Sequence, residues 1–139
     1  MKYYAVFDTN VLISSMLTKN PESATAKVVN AISDRLITPL YNQEILDEYA
    51  DVLHRAKFSF SKSAIESIIK MIKVFGQPVS PSSTGETLPD MDDLVFYEVV
   101  MEKNKKDDTY LITGNKKHFP NKAFIVTPAE MIKIIDKEL

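Results

Sequence analysis

An α/β fold with a mostly parallel sheet is what this sequence predicts, on three observations. Short apolar runs of strand length alternate with longer segments whose apolar residues recur at helical spacing. The first run, Tyr3–Phe7, is continuous and not alternating, as in a strand buried on both faces. The chain has 139 residues, 45% of them hydrophobic and 26% charged, which fits one globular domain over 1–139 and is too short for two independent cores.

The elements follow in order. Tyr3 to Phe7 ends at a polar turn, Asp8-Thr9-Asn10, and Val11 to Leu17 reads as one or two helical turns. Ser23 to Ser33 places Ala24, Val28, Val29 and Ile32 at helical spacing. Arg35 to Thr38, with Pro39, is a second short strand. Asn42 to Arg55 is the clearest amphipathic helix, carrying Ile45, Leu46, Tyr49, Val52 and Leu53 on one stripe. Ser61 opens a helix with Ile65, Ile68, Ile69 and Ile72. The Pro/Ser-rich stretch from Pro78 to Gly85 reads as a surface loop. Asp90 then begins a helix, apolar almost all round, through about Lys103. Thr109–Thr113 and Ala123–Thr127 are strands, and Pro128 starts a last helix at the position proline favours.

Composition removes most catalytic chemistries. With no cysteine there is no disulfide, thiolate zinc site, iron–sulfur cluster or cysteine nucleophile. Two histidines, His54 and His118, are too few for three-His zinc sites, and three glycines cannot build a phosphate-cradling loop. The net charge of −2 argues against holding nucleic acid by bulk positive charge. Tyr3–Phe7 is too short for the apolar core of a signal peptide, and no stretch approaches a membrane span, so a cytoplasmic location is expected. Any enzymatic chemistry falls to carboxylates.

Ligands of parallel sheets bind outside the carboxyl ends of the strands. Two such ends carry polar clusters here, Asp8-Thr9-Asn10 and Thr113-Gly114-Asn115. Asp8 reads either as a helix N-cap or as a desolvated acid needing a cation, and Asn10 competes for the cap. Of the four acids in the Asn42–Arg55 helix, Glu48 lies against the apolar stripe, while Glu44, Asp47 and Asp51 lie further out on a solvated face. In Asp90-Met91-Asp92-Asp93, helix-start electrostatics account for one or two acids. Asp93 shares its helix side with Tyr97 and Val100, and Asp92 points away from it. Asp8, Glu48 and Asp93, with Asn10, Asp90, Thr113 and Asn115, are hard-oxygen donors suited to Mg2+ or Mn2+.

Four segments in order, Val6–Ser14, Glu44–Tyr49, Pro89–Asp93 and Leu111–Phe119, resemble a PIN domain, closest to the toxin components of toxin–antitoxin systems described as VapC-like. The resemblance spans nearly the whole chain. It implies a Rossmann-like α/β/α sandwich and a metal-dependent endoribonuclease that hydrolyses RNA phosphodiesters with Mg2+ or Mn2+. It further implies a small antitoxin partner and a homodimer. Its acids fall on Asp8, helped by Asn10, on Glu48, and on Asp93 with Asp90 accessory; Thr113 matches a hydroxyl at the strand end.

The fourth acid falls on Asn115, where the pattern more usually has aspartate. Asparagine keeps a carbonyl oxygen but loses a charge, so a first metal site is expected intact and a second weakened. A catalytically weakened or inactive RNA- or protein-binding module is therefore the competing reading. An aspartyl-nucleophile phosphatase is disfavoured, since Asp8-Thr9-Asn10 lacks a second aspartate. Between Lys103 and Lys122 stand six lysines and two acids, and Lys116, Lys117 and His118 are candidate RNA contacts, with a solvated face as the alternative. Setting aside Asp8, Glu48, Asp90 and Asp93 turns the net charge from −2 to +2. The acidity is concentrated where a cation belongs.

Overall fold

A computed structural model describes residues 3–138; Met1, Lys2 and Leu139, the ends of the expected 1–139 domain, lie outside the described residues. Five strands form one sheet: β1 (Tyr3–Phe7), β2 (Ile37–Tyr41), β3 (Gln77–Pro78), β4 (Thr109–Ile112) and β5 (Ile125–Val126). Their order is β3-β2-β1-β4-β5, and every pairing is parallel. The helices are α1 (Thr9–Leu17), α2 (Ala24–Ser33), α3 (Gln43–Leu53), α4 (Lys62–Phe75), α5 (Leu94–Asn104) and α6 (Pro128–Glu138). The fold is the Rossmann-like α/β/α arrangement that the sequence predicts.

The strand order reverses direction between β1 and β4: the chain moves outward through β2 and β3, then returns to place β4 on the other side of β1. A crevice opens at such a switch point beyond the strand carboxyl ends. The register puts Phe7 opposite Ile112, so Asp8 and Thr113 emerge side by side. The Asp8 amide donates to the Ile112 carbonyl at 2.9 Å, which carries the pairing one residue past β1.

Local side-chain chemistry starts three of the helices, one of them at Ser61 as the sequence reading has it. Ser23, Asn42 and Ser61 each accept from the backbone amide three residues on, which satisfies one orphan donor of α2, α3 and α4. The apolar stripe of α3 buries Ile45, Leu46, Tyr49, Val52 and Leu53. Helix α5 packs against β1 and β4 and buries Val95, Phe96, Tyr97, Val99 and Val100, in keeping with its nearly unbroken apolar sequence.

Several boundaries differ from the sequence reading. The second strand begins at Ile37, since Arg35 turns through a positive φ of 63°, and it continues past Pro39, whose fixed φ suits an extended chain. β3 occupies Gln77–Pro78, so it takes in the first residue of what reads as loop. Gly76 makes that short pairing accessible: a Cβ there would sit 2.2 Å from the Ile72 carbonyl oxygen and 2.5 Å from that of Pro39. The helix expected from Asp90 to Lys103 is broken in two, with a 3₁₀ turn at Met91–Asp93 before α5. Asp90 causes this by accepting from the Asp92 amide at 3.0 Å, a local side-chain bond that competes with helix. The last strand is only Ile125–Val126, because Ala123 and Phe124 lie in the preceding turn.

The Pro/Ser segment is strapped to α5. Glu98 accepts from the Thr84 amide at 2.6 Å and its hydroxyl at 3.0 Å, and Glu102 accepts from the Ser82 amide at 3.2 Å. These bonds lead the chain back to Asp90 at the edge of the crevice.

Candidate functional site

Asp8 ends β1 and is only 5% exposed. Although it stands at the N-cap position of α1, its side chain makes no cap bond. Its Oδ2 accepts instead from Thr113 Oγ1 at 2.8 Å and from Asn10 Nδ2 at 3.1 Å. Thr113 is fully buried and its hydroxyl in turn accepts from the Asn115 amide at 3.0 Å. Asn10 ties the two strand ends together by also accepting, through Oδ1, from the Gly114 amide at 3.1 Å. Asp8 is thus oriented by two side chains, yet burial pushes its carboxyl above the ordinary range, outweighing the hydrogen bonds that pull it down.

Beneath it lies Tyr49 of α3, wholly buried, whose hydroxyl donates to the Phe7 carbonyl at 2.5 Å. Its ring stacks on Phe96 of α5, centroids 5.9 Å apart, so α3 and α5 are held against the end of β1 by one aromatic pair. One residue before Tyr49 stands Glu48. It is half-buried, whereas Glu44, Asp47 and Asp51 of the same helix are exposed. Burial raises its carboxyl, and the charges of Asp92, Asp51 and Asp90 raise it further; Arg55 works the other way.

Asp93 closes the 3₁₀ turn, with its side chain 14% exposed. Burial first, then the charges of Asp8, Asp90 and Glu48, lift its carboxyl from 3.8 to about 6, with only His118 opposing. Asp90 itself is exposed and spends Oδ1 on the Asp92 amide. It contributes charge to Asp93 and Glu48.

His118 links two halves of the site. Its Nδ1 lies 3.5 Å from Asp93 Oδ2, and its Nε2 lies 3.0 Å from Asn115 Nδ2. The tautomer with its proton on Nδ1 satisfies both contacts, Nε2 accepting from that amide and the Nδ1–H facing Asp93. The sequence reading treats His118 as a loop histidine or a phosphate contact and misses this bridge. The signal was present only as its three-residue spacing from Asn115 in a short turn, Lys116–His118. Asp92 was also undervalued: exposed as expected, it is still the strongest acidic neighbour of Glu48.

The lysine run does not form one basic face. Lys103 pairs with Asp107 at 2.9 Å and covers the Tyr4 ring, and Lys105 pairs with Glu102 at 3.0 Å. Lys116 pairs with Glu130 at 3.1 Å, and Lys117 stands exposed beside it in the chain.

Among the described residues, no lysine or arginine forms an ion pair with Asp8, Glu48 or Asp93. Among the same residues no three acids or histidines stand as a ready-made metal cage. The acids form instead a set of mutually repelling, partly desolvated oxygens. Next to Asp8, the hydroxyl of Thr9 is the one buried side-chain oxygen or nitrogen without a partner among the described residues. Uncompensated hard-oxygen donors of this kind fit a divalent cation by donor chemistry.

A family model described as PIN domain matches residues 4–117. The chain belongs to the PIN domain family. The matched span contains Asp8, Glu48, Asp90, Asp93, Thr113 and Asn115, and ends one residue before His118. No curated protein and no solved structure gives a significant match. PIN domains are generally nucleases and typically use divalent metals, so at this level the chain is a nuclease-type hydrolase. No helix among the described residues is long and apolar enough to cross a membrane.

The raised carboxyl of Asp93 has a pH signature. Its folded-state affinity for protons exceeds the unfolded one, so this group favours the fold at low pH and that contribution is lost as pH rises from about 4 to about 6. A cation binds the ionised form and so acts in the opposite direction. The thermal stabilisation given by Mn2+ is therefore expected to grow between about pH 5 and pH 7 and then level off. Melting curves with and without Mn2+ across that range test this; a stabilisation independent of pH would contradict it.

Proposed function

We propose that this PIN domain is a metal-dependent endoribonuclease, the toxin of a toxin–antitoxin pair, acting on RNA in the cytoplasm. The observation that supports the nuclease reading is that burial and the charges of Asp8, Asp90 and Glu48, from separate segments, all raise the Asp93 carboxyl, while among the described residues no lysine or arginine pairs with Asp8, Glu48 or Asp93. Asp8, Glu48 and Asp93 would hold Mg2+ or Mn2+, with Asp90 and the carbonyl of Asn115 accessory. When bound, such an ion polarises a phosphodiester and stabilises the leaving oxygen.

The chain's own side chains divide the remaining work. Thr113 and Asn10 fix the Asp8 carboxylate, so no reorganisation is needed when a cation or phosphate arrives. His118 steadies Asp93 and can give a proton at Nδ1. Lys117 offers a phosphate contact beside them. The toxin role, a small antitoxin partner and a homodimer rest on the sequence resemblance alone.

Purified protein incubated with single-stranded and structured RNA is expected to cleave in Mn2+ and to be silent in chelator. Cleavage that persists in chelator would contradict the proposal. A second reading, a binding module with weakened or no catalysis, is favoured by one observation: Asn115 replaces an acid, and its amide is engaged with His118. Metal binding without cleavage would support that reading. An Asn115→Asp variant that gains activity would instead place the weakness in the second metal position.

A further inference from the structure

Past Asn115, residues 116–125 fold around a recess of about 250 Å³. Its floor is apolar, made by Phe119 and Ile125, both buried, with half-buried Pro120. Its rim carries three exposed lysines, Lys116, Lys117 and Lys122. The rim is braced: Lys116 pairs with Glu130, whose carboxylate also accepts from the Thr127 amide at 2.9 Å at the start of α6. The same short turn that carries Lys116 and Lys117 carries His118, so the recess adjoins the acidic site through one turn of chain.

An apolar floor inside a cationic rim asks for a ligand with a flat uncharged part and flanking negative charge. A simple anion would leave the floor unused, and a purely apolar ligand would leave the lysines unused. A nucleotide of an unpaired strand has both parts, a base with an apolar face and phosphates on either side. The volume is below the roughly 300–1,000 Å³ of pockets for drug-sized ligands, which suits one ring system.

We propose that this recess seats one base of a single-stranded RNA beside the acidic site, with Lys117 and Lys122 on the adjoining phosphates. A base paired within a duplex is stacked and cannot enter, so the seat selects unpaired strands. The proposal rests on the nuclease reading for its substrate, and its test separates the two.

Binding is measured by fluorescence anisotropy on the full chain carrying Asp93→Asn, so that the strand stays whole. The probes are a single-stranded RNA of mixed sequence and a series with one abasic ribose at each position in turn. One position is expected to lose about ten-fold in affinity when its base is removed. Asn121→Trp, which fills the recess and keeps the lysines, is expected to abolish that penalty. Exchanging Lys117→Ala and Lys122→Ala together is expected to weaken every strand several-fold and to make binding less salt-dependent.

No penalty at any position, a penalty that survives Asn121→Trp, or an unchanged salt dependence in the lysine exchange would each overturn the seat. RNA cleaved in Mn2+ with no abasic penalty would remove the seat and leave the nuclease reading standing. An abasic penalty in a protein that never cleaves RNA would keep the seat and remove the nuclease.

Discussion

Replacing Asp93 with asparagine is expected to raise the melting temperature of the cation-free protein by about 3 °C while removing its stabilisation by Mn2+. The sign of the first effect is the informative part. An acid that served only to cap a helix or to pair with a base would lose stability on neutralisation. Asp93 makes no side-chain cap bond, and Asp8, Asp90 and Glu48 all oppose its charge. Held near 6 and not 3.8 by burial first and by its acidic neighbours second, the ionised carboxyl costs about 1 kcal/mol at neutral pH once solvent screening is allowed for. Asparagine removes that cost and keeps the shape.

Asp8→Asn acts in the same direction, since burial is what raises its carboxyl. The amide oxygen can still accept from Thr113. Cleavage is expected to fall by roughly 10²–10³-fold in either variant, the scale seen when one preorganised electrostatic group is removed from an active site. Melting curves in chelator and in Mn2+, beside initial rates on RNA, read all three effects. A destabilised cation-free variant with full Mn2+ response would remove these acids from the site.

Phe96→Ala is expected to cost about 3–5 kcal/mol, the range for truncating a buried aromatic side chain. Phe96 is 1% exposed and belongs to the helix that covers both β1 and β4. Its stack on Tyr49 joins α3 to α5. Its loss therefore loosens the two helices that present Glu48 and Asp93 as well as the core. The denaturant midpoint measures the energetic part. Tyr49→Phe separates the polar part: the stack survives, the bond to the Phe7 carbonyl is lost, and a cost of about 1 kcal/mol is expected. Equal stability of Phe96→Ala and the parent would show that the aromatic pair does not carry this packing.

Much of the site was legible in the sequence because it follows from periodicity and from strand ends. Glu48 could be separated from Glu44, Asp47 and Asp51 by helical geometry alone, and it is the half-buried acid of α3. Asp8 and Thr113 could be brought together because both end buried apolar runs of a parallel sheet, and a hydrogen bond of 2.8 Å joins them. What periodicity cannot see is a side chain that overrides it. Asp90 captures the Asp92 amide and breaks a helix that its apolar pattern would have continued. β3 has no apolar signature in Gln77–Pro78, since its pairing depends on close approach at Gly76 and on the Val79 amide reaching the Tyr41 carbonyl at 2.8 Å.

The contact between His118 and Asp93 joins residues with α5 and β4 between them, and no local pattern encodes it. Sequence counting likewise took six lysines as one local surplus. The fold pairs Lys103, Lys105 and Lys116 with neighbouring acids, while Lys117 and Lys122 stand exposed on the rim of the recess. The net charge of −2 has a similar resolution. Four of the chain's acids are the candidate metal ligands, and a single divalent ion would neutralise the chain as a whole.

Calorimetric titration of Mn2+ into the full chain at neutral pH, beside the Asp93→Asn variant, tests the central claim most directly. The account predicts one tight site with a weaker second, because Asn115 supplies an oxygen without a charge, and it predicts loss of the tight site in Asp93→Asn. A chain that binds no Mn2+, or a tight site that persists unchanged in Asp93→Asn, would contradict it.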